Sequence, residues 1–167
     1  IVKSVNQHFA DIDQDPALHD ITYENAQARE RTQILMDIAN KCNGFVVGTG
    51  DLSELALGWC TYNGDHMSMY AVNASVPKTL VRFICESVAL DAKENHNDEL
   101  YKVLIDICNT PVSPELLPPD SKGKIQQKTE EVLGSYDLHD FFLYHMLRFH
   151  EELKKIYELA KLAFHNV

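Results

Sequence analysis

The chain has 167 residues, of which 25 are acidic and 15 are basic, so its formal net charge at pH 7 is −10. This charge argues against nucleic acids and anionic membranes as partners, because both are bound through clustered lysines and arginines. The lack of an apolar run of roughly 18 residues and of a signal-peptide pattern predicts a cytoplasmic protein that does not span a membrane.

Strand patterns occur only in the first third of the sequence. Residues 1–5 are predicted to end one strand and residues 45–47 to form a short, buried parallel strand, with a helix from about residue 22 to residue 41 between them. Helices follow at about 77–90, 98–108, 138–150 and 151–164. Because two strands make a poor sheet, we expect the chain to be a portion of a larger α/β polypeptide.

The first predicted helix carries a polar pair, Asn25 and Arg29, whose four-residue spacing places both side chains on one helix face. Charged faces of this kind are commonly solvated surface. A planar guanidinium group also suits carboxylate or phosphate recognition, so ligand binding is the alternative. Arg31 is predicted to form an ion pair.

A Gly48-Thr49-Gly50 turn follows the second predicted strand and leads into a short helix. In an open parallel sheet, ligands bind beyond the carboxyl ends of the strands, where glycines let backbone N–H groups approach a phosphate. Thr49 would add a hydroxyl group. The arrangement therefore predicts a nucleotide site.

Two carboxylates mark the beginning of that short helix. Asp51 suits an N-cap and Glu54, three residues on, completes an approximate capping box. For Asp51, capping and ligand binding are equally good interpretations. We interpret Glu54 as a ligand of a hard cation, since Mg²⁺ held with substrate phosphates needs only one or two protein carboxylates.

Residues Trp59, Cys60, Thr61 and Tyr62 follow Gly58, which is a plausible helix terminator. Two aromatic rings around small polar residues suit stacking on a flat heteroaromatic ring of a ligand, whereas the alternative makes Trp59 a core anchor. The next three residues, Asn-Gly-Asp at 63–65, are predicted to form a turn. For His66, which follows them, polar surface is the favoured interpretation and a functional role is the alternative.

Two later segments contain candidate anion contacts. Lys78 follows Pro77 at a helix start, where the helix dipole disfavours a cation, and this placement hints at an anionic ligand. Residues 110–118 contain three prolines and two hydroxyl side chains, including Ser113, which predicts a rigid loop. Residues 120–128 are predicted to be a polar connector.

Neither the cysteines nor the histidines have metal-site spacing. The cysteines, at 42, 60, 85 and 108, contain no CxxC pair and are predicted to be reduced, mostly buried thiols. The histidines at 139, 145 and 150 are six and five residues apart, unlike an i, i+4 zinc pair. We interpret these three, and His165, as packing and surface residues.

Several segments occur in an order that resembles one enzyme family: residues 24–31 (ENAQARER), 48–66 (GTGDLSELALGWCTYNGDH), 76–79 (VPKT), 110–118 (TPVSPELLP) and 136–145 (YDLHDFFLYH). The chain resembles the synthetase domain of NAD synthetase, in its glutamine-dependent type, from about Asp20 to Phe164. The resemblance implies a Rossmann-like α/β fold, of the adenine nucleotide alpha-hydrolase-like kind, with flanking helices. Residues 1–167 would be a helix-rich part of it, without the upstream SGG-x-DS loop and the glutaminase domain.

The resemblance also assigns site residues. It implies ATP contacts for Thr49, Lys78 and Ser113, with Thr110 as an alternative to Ser113. It implies a Mg²⁺ ligand at Glu54, which would also border deamido-NAD. The remaining implied contacts to deamido-NAD are Asn25, Arg29, Trp59, Cys60, Thr61 and Tyr62. The small ammonia-dependent enzymes tend to have a lysine where Tyr62 stands, so no cation is expected there.

The implied activity is ATP-dependent amidation of deamido-NAD to NAD through an adenylated intermediate. Ammonia would come from glutamine by way of a domain outside this chain, and the protein would form a homodimer or a larger homo-oligomer. Cys60 is not expected to be the glutaminase nucleophile, and no general base is singled out. The alternatives are a non-catalytic assembly module and a related adenylating amidotransferase with another acceptor.

Overall fold

The computed structural model describes residues 2–113 and 129–165, which fall into two units. Within these ranges, the first unit contains residues 2–75 and the second contains residues 76–113 and 129–165. The later part of the predicted proline-rich loop, residues 114–118, and the predicted connector at 120–128 lie outside the described residues.

The first unit begins with helix α1, Val2–Asp11, so the predicted strand at residues 1–5 is wrong. The apolar residues Val5 and Phe9 are four apart, a helical spacing, and both are buried against Ala26. The Phe9 ring also stacks on Tyr23, with 5.7 Å between ring centroids. A five-residue window was too short to separate this helical period from a strand.

Helix α2 spans Ile21–Lys41 and confirms the predicted helix at 22–41. The Asp20 side chain caps it by accepting a hydrogen bond from the Tyr23 N–H group at 3.0 Å. Its buried positions are alanines, at 26, 28 and 39; Ala28 and Ala39 share one helix face, and Ala26 lies on the opposite side, against Val5 and Phe9.

Strands β1, Val47–Gly48, and β2, Tyr70–Ala71, pair in parallel, with Val47 opposite Tyr70 and Gly48 opposite Ala71. The parallel strand predicted at 45–47 is therefore confirmed only at Val47. Its predicted burial is wrong, because Phe45 is 64% exposed and Val47 is 50% exposed. Two strands of two residues each offer too little surface to cover these side chains.

Helix α3, Leu52–Leu57, links the sheet to the segment that follows it. Gly58 ends the helix in the left-handed conformation, with φ of 66°, and its N–H group bonds back into the last turn. A residue with a Cβ is disfavoured in this conformation, which explains the glycine. The prediction that Gly58 terminates the helix is confirmed.

The second unit is helical throughout its described part. The four predicted helices are confirmed to within four residues at each end, and a fifth short helix, α6, was not predicted. The helices are α4 Lys78–Glu94, α5 Asp98–Asn109, α6 Thr129–Leu133, α7 Tyr136–Arg148 and α8 Leu153–Ala163. Helix α4 packs against α5 and α7, and α7 packs against α8.

Helix α4 is capped by a residue of another helix. Its own N-cap residue, Pro77, makes no capping hydrogen bond through its side chain. Asp140 of α7 instead accepts hydrogen bonds from the Thr79 N–H group at 2.9 Å and from Thr79 Oγ1 at 2.7 Å. Because Asp140 is only 5% exposed, this carboxylate joins α4 to α7 inside the unit.

The turn between α7 and α8 is held by a polar cluster. Glu151 accepts a hydrogen bond from Lys155 Nζ at 2.6 Å, and its second oxygen lies 2.9 Å from His145 Nδ1. The hydrogen bond from Lys155, and secondarily the one from His145, lowers the pKa of the Glu151 carboxyl group below its ordinary value of 4.5. The ionised form of Glu151 is therefore favoured by the folded state.

We expect Glu151→Gln to lower the midpoint temperature of unfolding at pH 7. A lowered folded-state pKa stabilises the fold above the unfolded-state pKa, and this contribution is lost as the pH falls through the folded-state value. The difference between wild type and variant should thus shrink progressively as the pH falls from the ordinary value of 4.5 towards and through the lowered folded-state value. Thermal unfolding followed from pH 7 to pH 3 tests this, with the neighbouring Glu152→Gln as control. A difference that does not shrink between pH 7 and pH 3 contradicts the prediction.

The cysteines are free thiols, as predicted, but they are not mostly buried. Cys42 is exposed, and Cys60, Cys85 and Cys108 are half-buried. His139 and His145 are half-buried and His150 and His165 are exposed, which agrees with the predicted packing and surface positions. No helix in the described ranges is long and apolar enough to cross a membrane.

Candidate functional site

The Gly48-Thr49-Gly50 turn leaves β1 at its carboxyl end, beside β2. Gly48 lies against the side chain of Ser68: a Cβ atom at Gly48 would overlap Ser68 Oγ and lie 2.7 Å from Ser68 Cβ. This packing requires glycine at position 48. Thr49 is exposed at the end of the strand, where the nucleotide site is predicted.

We expect Gly48→Ala to destabilise the first unit by about 1–3 kcal/mol, as overpacking of a close contact usually does. Ser68→Gly removes both of the atoms that the new methyl group would meet, so the double variant should recover most of this loss. Gly50→Ala is the matched control, because a Cβ atom there would lie at an ordinary 3.6 Å from Glu54 Oε2. Chemical denaturation measures the effect. Equal losses in the two single glycine variants would contradict the steric explanation.

Asp51 and Glu54 form a complete capping box at the start of α3. Asp51 Oδ1 accepts a hydrogen bond from the Glu54 N–H group at 2.9 Å, and Glu54 Oε2 accepts one from the Asp51 N–H group at 3.2 Å. Asp51 is only 3% exposed, which confirms the capping interpretation for this residue. Glu54 is half-buried, so one of its sides remains accessible.

The donor set around Glu54 fits Mg²⁺ only in combination with phosphates. The described residues hold no group of three His, Cys, Asp or Glu side chains suited to a metal ion. Magnesium, however, commonly keeps several waters and uses one or two protein carboxylates together with substrate phosphates. The cation role of Glu54 stays a prediction.

Helix α2 holds the Trp59–Tyr62 segment through two hydrogen bonds. Thr61 Oγ1 donates to Asn25 Oδ1 at 2.7 Å, and Arg29 Nε donates to the carbonyl oxygen of Tyr62 at 3.1 Å. The structure therefore brings together the polar pair of α2 and the aromatic segment, as expected for one site. Because the Asn25 oxygen is engaged by Thr61, its amide nitrogen is the group that is left to donate to a ligand.

The four residues of this segment differ in exposure. Thr61 is buried at 7%, Trp59 and Cys60 are half-buried, and Tyr62 is 73% exposed. Burial, followed by the nearby carboxylates Asp65 and Glu54, raises the pKa of the Cys60 thiol. A thiol with a raised pKa carries less of the nucleophilic thiolate form at neutral pH.

The loop after Tyr62 folds back on Thr61. The Thr61 N–H group donates to Asp65 Oδ1 at 2.8 Å, and the Thr61 carbonyl oxygen accepts from the Gly64 N–H group at 2.9 Å. Asn63 takes a positive φ of 58°, which confirms the predicted turn. His66 is half-buried, so it is only partly a surface residue.

These elements surround an open pocket with about 320 Å³ of empty space, part of it continuous with solvent. Its lining comes from the glycine turn, from α3 and from the loop: Gly48, Gly50, Glu54, Leu55, Cys60, Asp65, His66, Ser68 and Ala71. Sequence reasoning missed Asp65, His66 and Ser68 as pocket residues. Only the return of the chain into β2, a strand too short to recognise, brings them to the glycine turn.

Lys78 and Ser113 belong to the second unit. Lys78 is the first residue of α4, as predicted, and its Nζ atom lies 5.3 Å from the centre of the Tyr136 ring. This cation–π contact offsets part of the cost of a cation at a helix start. Ser113 is half-buried, and Thr110 Oγ1 donates to the Asp106 carbonyl oxygen at 2.9 Å.

Comparison with known proteins assigns the family. Residues 1–167, the whole chain, match the family model described as NAD synthase. The chain belongs to the NAD synthase family. The resemblance to this family that the sequence motifs indicated is thereby confirmed.

Curated relatives in the NAD synthase family carry the name glutamine-dependent NAD(+) synthetase. The chain is 46% identical to the Mycobacterium leprae protein over 132 residues, which are 78% of this chain and 19% of that protein. It is 44% identical to the Mycobacterium tuberculosis H37Rv protein over 149 residues, 89% of this chain and 21% of that protein. The chain thus spans about one fifth of the length of these relatives.

A solved structure supports the fold. The structure of NMN synthetase from Francisella tularensis matches this chain with a TM-score of 0.61 and 23% sequence identity. The match covers 84% of this chain and 50% of the solved chain. At this identity the similarity concerns the fold alone. The predicted fold class is confirmed in its coarse form, as a helix-rich member of the family with a small parallel sheet.

Proposed function

We propose that this chain is the part of a glutamine-dependent NAD synthetase that holds deamido-NAD during ATP-dependent amidation. One observation carries the proposal. In a chain of the NAD synthase family, α2 and the Trp59–Tyr62 segment are joined by the Asn25–Thr61 and Arg29–Tyr62 hydrogen bonds. The protein would act in the cytoplasm as a homo-oligomer.

The proposed reaction has two steps. A carboxylate oxygen of the nicotinate group attacks the α-phosphorus of ATP, and the bond from that phosphorus to the pyrophosphate leaving group breaks. Ammonia then attacks the adenylated carboxyl carbon, AMP leaves, and a proton is released as the amide of NAD forms. Activation is needed because a free carboxylate is a poor electrophile. The protein mainly orients the reactants and stabilises developing charge.

The first unit would bind deamido-NAD and the metal-bound phosphates. The Asn25 amide nitrogen and the Trp59 and Tyr62 rings would contact the dinucleotide, while Arg29 positions the segment through its bond to the Tyr62 carbonyl oxygen. Thr49 would donate its hydroxyl group to ATP. Mg²⁺, bound by Glu54 and phosphate oxygens, would neutralise charge on the phosphates.

The second unit would contribute Lys78 and Ser113 to ATP. A cation at the first position of α4 is disfavoured by the helix dipole, and a phosphate would favour it far more than the Tyr136 ring does. Ser113 would add a hydroxyl donor.

The experiment that tests the proposal measures NAD and AMP formation from deamido-NAD, ATP, Mg²⁺ and ammonium. The 167-residue chain is compared with a longer polypeptide that includes an upstream SGG-type loop. We expect turnover only by the longer polypeptide. Turnover by the short chain would overturn the need for that loop, and inactivity of both would reject the proposed function.

A second candidate function is that of an assembly module without activity of its own. It is favoured by large apolar side chains that are exposed on the second unit, such as Phe83 at 63% and Leu162 at 74%. Self-association of the 167-residue chain without ligand binding, measured by analytical ultracentrifugation and calorimetry, would support this candidate.

A further inference from the structure

The imidazole of His66 has a defined tautomer. Its Nδ1 atom lies 2.9 Å from the carbonyl oxygen of Thr61. A carbonyl oxygen only accepts hydrogen bonds, so Nδ1 carries the hydrogen. In the neutral ring, Nε2 then carries a lone pair and accepts hydrogen bonds.

The ring is also held from its face. It stacks on Tyr62, with 5.3 Å between ring centroids and 22° between planes. The backbone that carries these contacts is itself fixed, because Arg29 donates to the Tyr62 carbonyl oxygen and Asn25 accepts from the Thr61 hydroxyl group. His66 is thus positioned by the same segment that is proposed to hold deamido-NAD.

The pocket that His66 lines is rich in hydrogen-bond acceptors. Glu54 and Asp65 contribute carboxylates to its wall, and neither lysine nor arginine is among its lining residues in the described part of the chain. Without a bound cation, such a wall disfavours phosphate oxygens, and it suits groups that donate hydrogen bonds. In a dinucleotide, the uncharged donors are the ribose hydroxyl groups and the adenine amino group, and of these the ribose hydroxyl groups lie nearer to the phosphates that the glycine turn is proposed to bind.

We propose that His66 Nε2 accepts a hydrogen bond from a ribose hydroxyl group of the dinucleotide substrate, which makes His66 a substrate-contact residue. This inference rests on the proposed function. The contact orients the dinucleotide relative to the glycine turn, since His66 and Gly48 line the same pocket. The His66 contact contributes to substrate binding and not to the chemical step, so its loss should raise KM for deamido-NAD and leave kcat unchanged.

Two substitutions distinguish the roles of the two ring nitrogens of His66. His66→Asn keeps a donor near the Nδ1 position for the Thr61 carbonyl oxygen but has no acceptor at the Nε2 position. His66→Gln places an amide oxygen near the Nε2 position. In the full polypeptide that contains this chain, we expect His66→Asn to raise KM for deamido-NAD about tenfold, at the upper end for one hydrogen bond. KM for ATP and kcat should stay within about twofold, and His66→Gln should stay within about threefold of wild type.

Three outcomes would overturn the inference: an unchanged KM for deamido-NAD in His66→Asn, an equal rise in KM for ATP, or equal impairment of His66→Gln. Weaker inhibition of His66→Asn by inorganic pyrophosphate would also overturn it, because the contact would then be to a phosphate. Thermal unfolding of each variant excludes loss of folding as the cause.

A measurement that needs no turnover separates this inference from the proposed function. Nitrogen NMR of the wild-type imidazole should show the Nδ1–H tautomer, and deamido-NAD should shift the Nε2 resonance. A wild-type protein that forms no NAD rejects the proposed function. A wild-type protein that forms NAD, with an Nε2 resonance that deamido-NAD does not move, rejects only the role of His66.

Discussion

Replacing Glu54 with glutamine should lower kcat/KM for NAD formation about 100-fold, equivalent to about 2.7 kcal/mol, while leaving the fold intact. Glu54 has two roles in our proposal. As the third residue of α3, it completes the capping box by accepting a hydrogen bond from the Asp51 N–H group at 3.2 Å, and a glutamine side-chain oxygen can also accept that bond. As the proposed Mg²⁺ ligand, it needs a negative charge, which glutamine lacks.

The measurement pairs kinetics with unfolding. For Glu54→Gln, the Mg²⁺ concentration that gives half-maximal rate should rise, and the midpoint of unfolding should stay close to that of wild type. Glu54→Ala should lose both activity and up to about 1 kcal/mol of stability, because it also removes the capping-box hydrogen bond to the Asp51 N–H group while the Asp51 cap remains. Glu158→Gln, an exposed carboxylate on α8, is the control for net charge. An active Glu54→Gln with unchanged Mg²⁺ dependence would show that Glu54 serves the helix alone.

Replacing Asp140 with alanine should destabilise the second unit by about 2–4 kcal/mol. The Asp140 carboxylate accepts two hydrogen bonds from Thr79 and is only 5% exposed. Its loss leaves the Thr79 N–H and hydroxyl groups without this acceptor, and hydrogen bonds to charged groups are worth about 1.5–3 kcal/mol. Helix α4 has no cap from its own N-cap side chain to compensate.

The contributions of the two bonds can be separated. Thr79→Val removes the hydroxyl bond and keeps the backbone bond, so it should cost less than Asp140→Ala. Asp137→Ala, on the same helix but exposed, is the matched control and should cost less than about 1 kcal/mol. Urea denaturation gives each free energy of unfolding. If Asp140→Ala lowers the free energy of unfolding no more than the control does, the buried Asp140 cap does not contribute to stability.

Most helices were predictable because their signals are local. Asp51 and Glu54 mark the beginning of α3, and Gly58 marks its end, all within eight residues. The structure confirms the capping box and the glycine terminator. The short strands were not predictable. Strand β2 has only two residues, Tyr70 and Ala71, and no periodicity can be read from two positions.

The candidate site was predictable in part. Each of Asn25, Arg29 and Thr61 was singled out, but the bond between Asn25 and Thr61 joins residues 36 apart in sequence. No spacing rule reaches across that distance. The sequence did not assign His66 to the pocket, because no local pattern distinguishes a solvent-exposed histidine in a turn from one that lines a pocket.

The sequence by itself determined the family, the helices with their caps and the order of the candidate motifs, since each is written in residues close together along the chain. The tertiary structure alone decided that Thr61 meets Asn25, that Asp140 caps α4 and that Ser68 closes on Gly48. These contacts depend on how distant elements pack. Packing is set by the shape and burial of side chains from several elements together, which no single segment specifies.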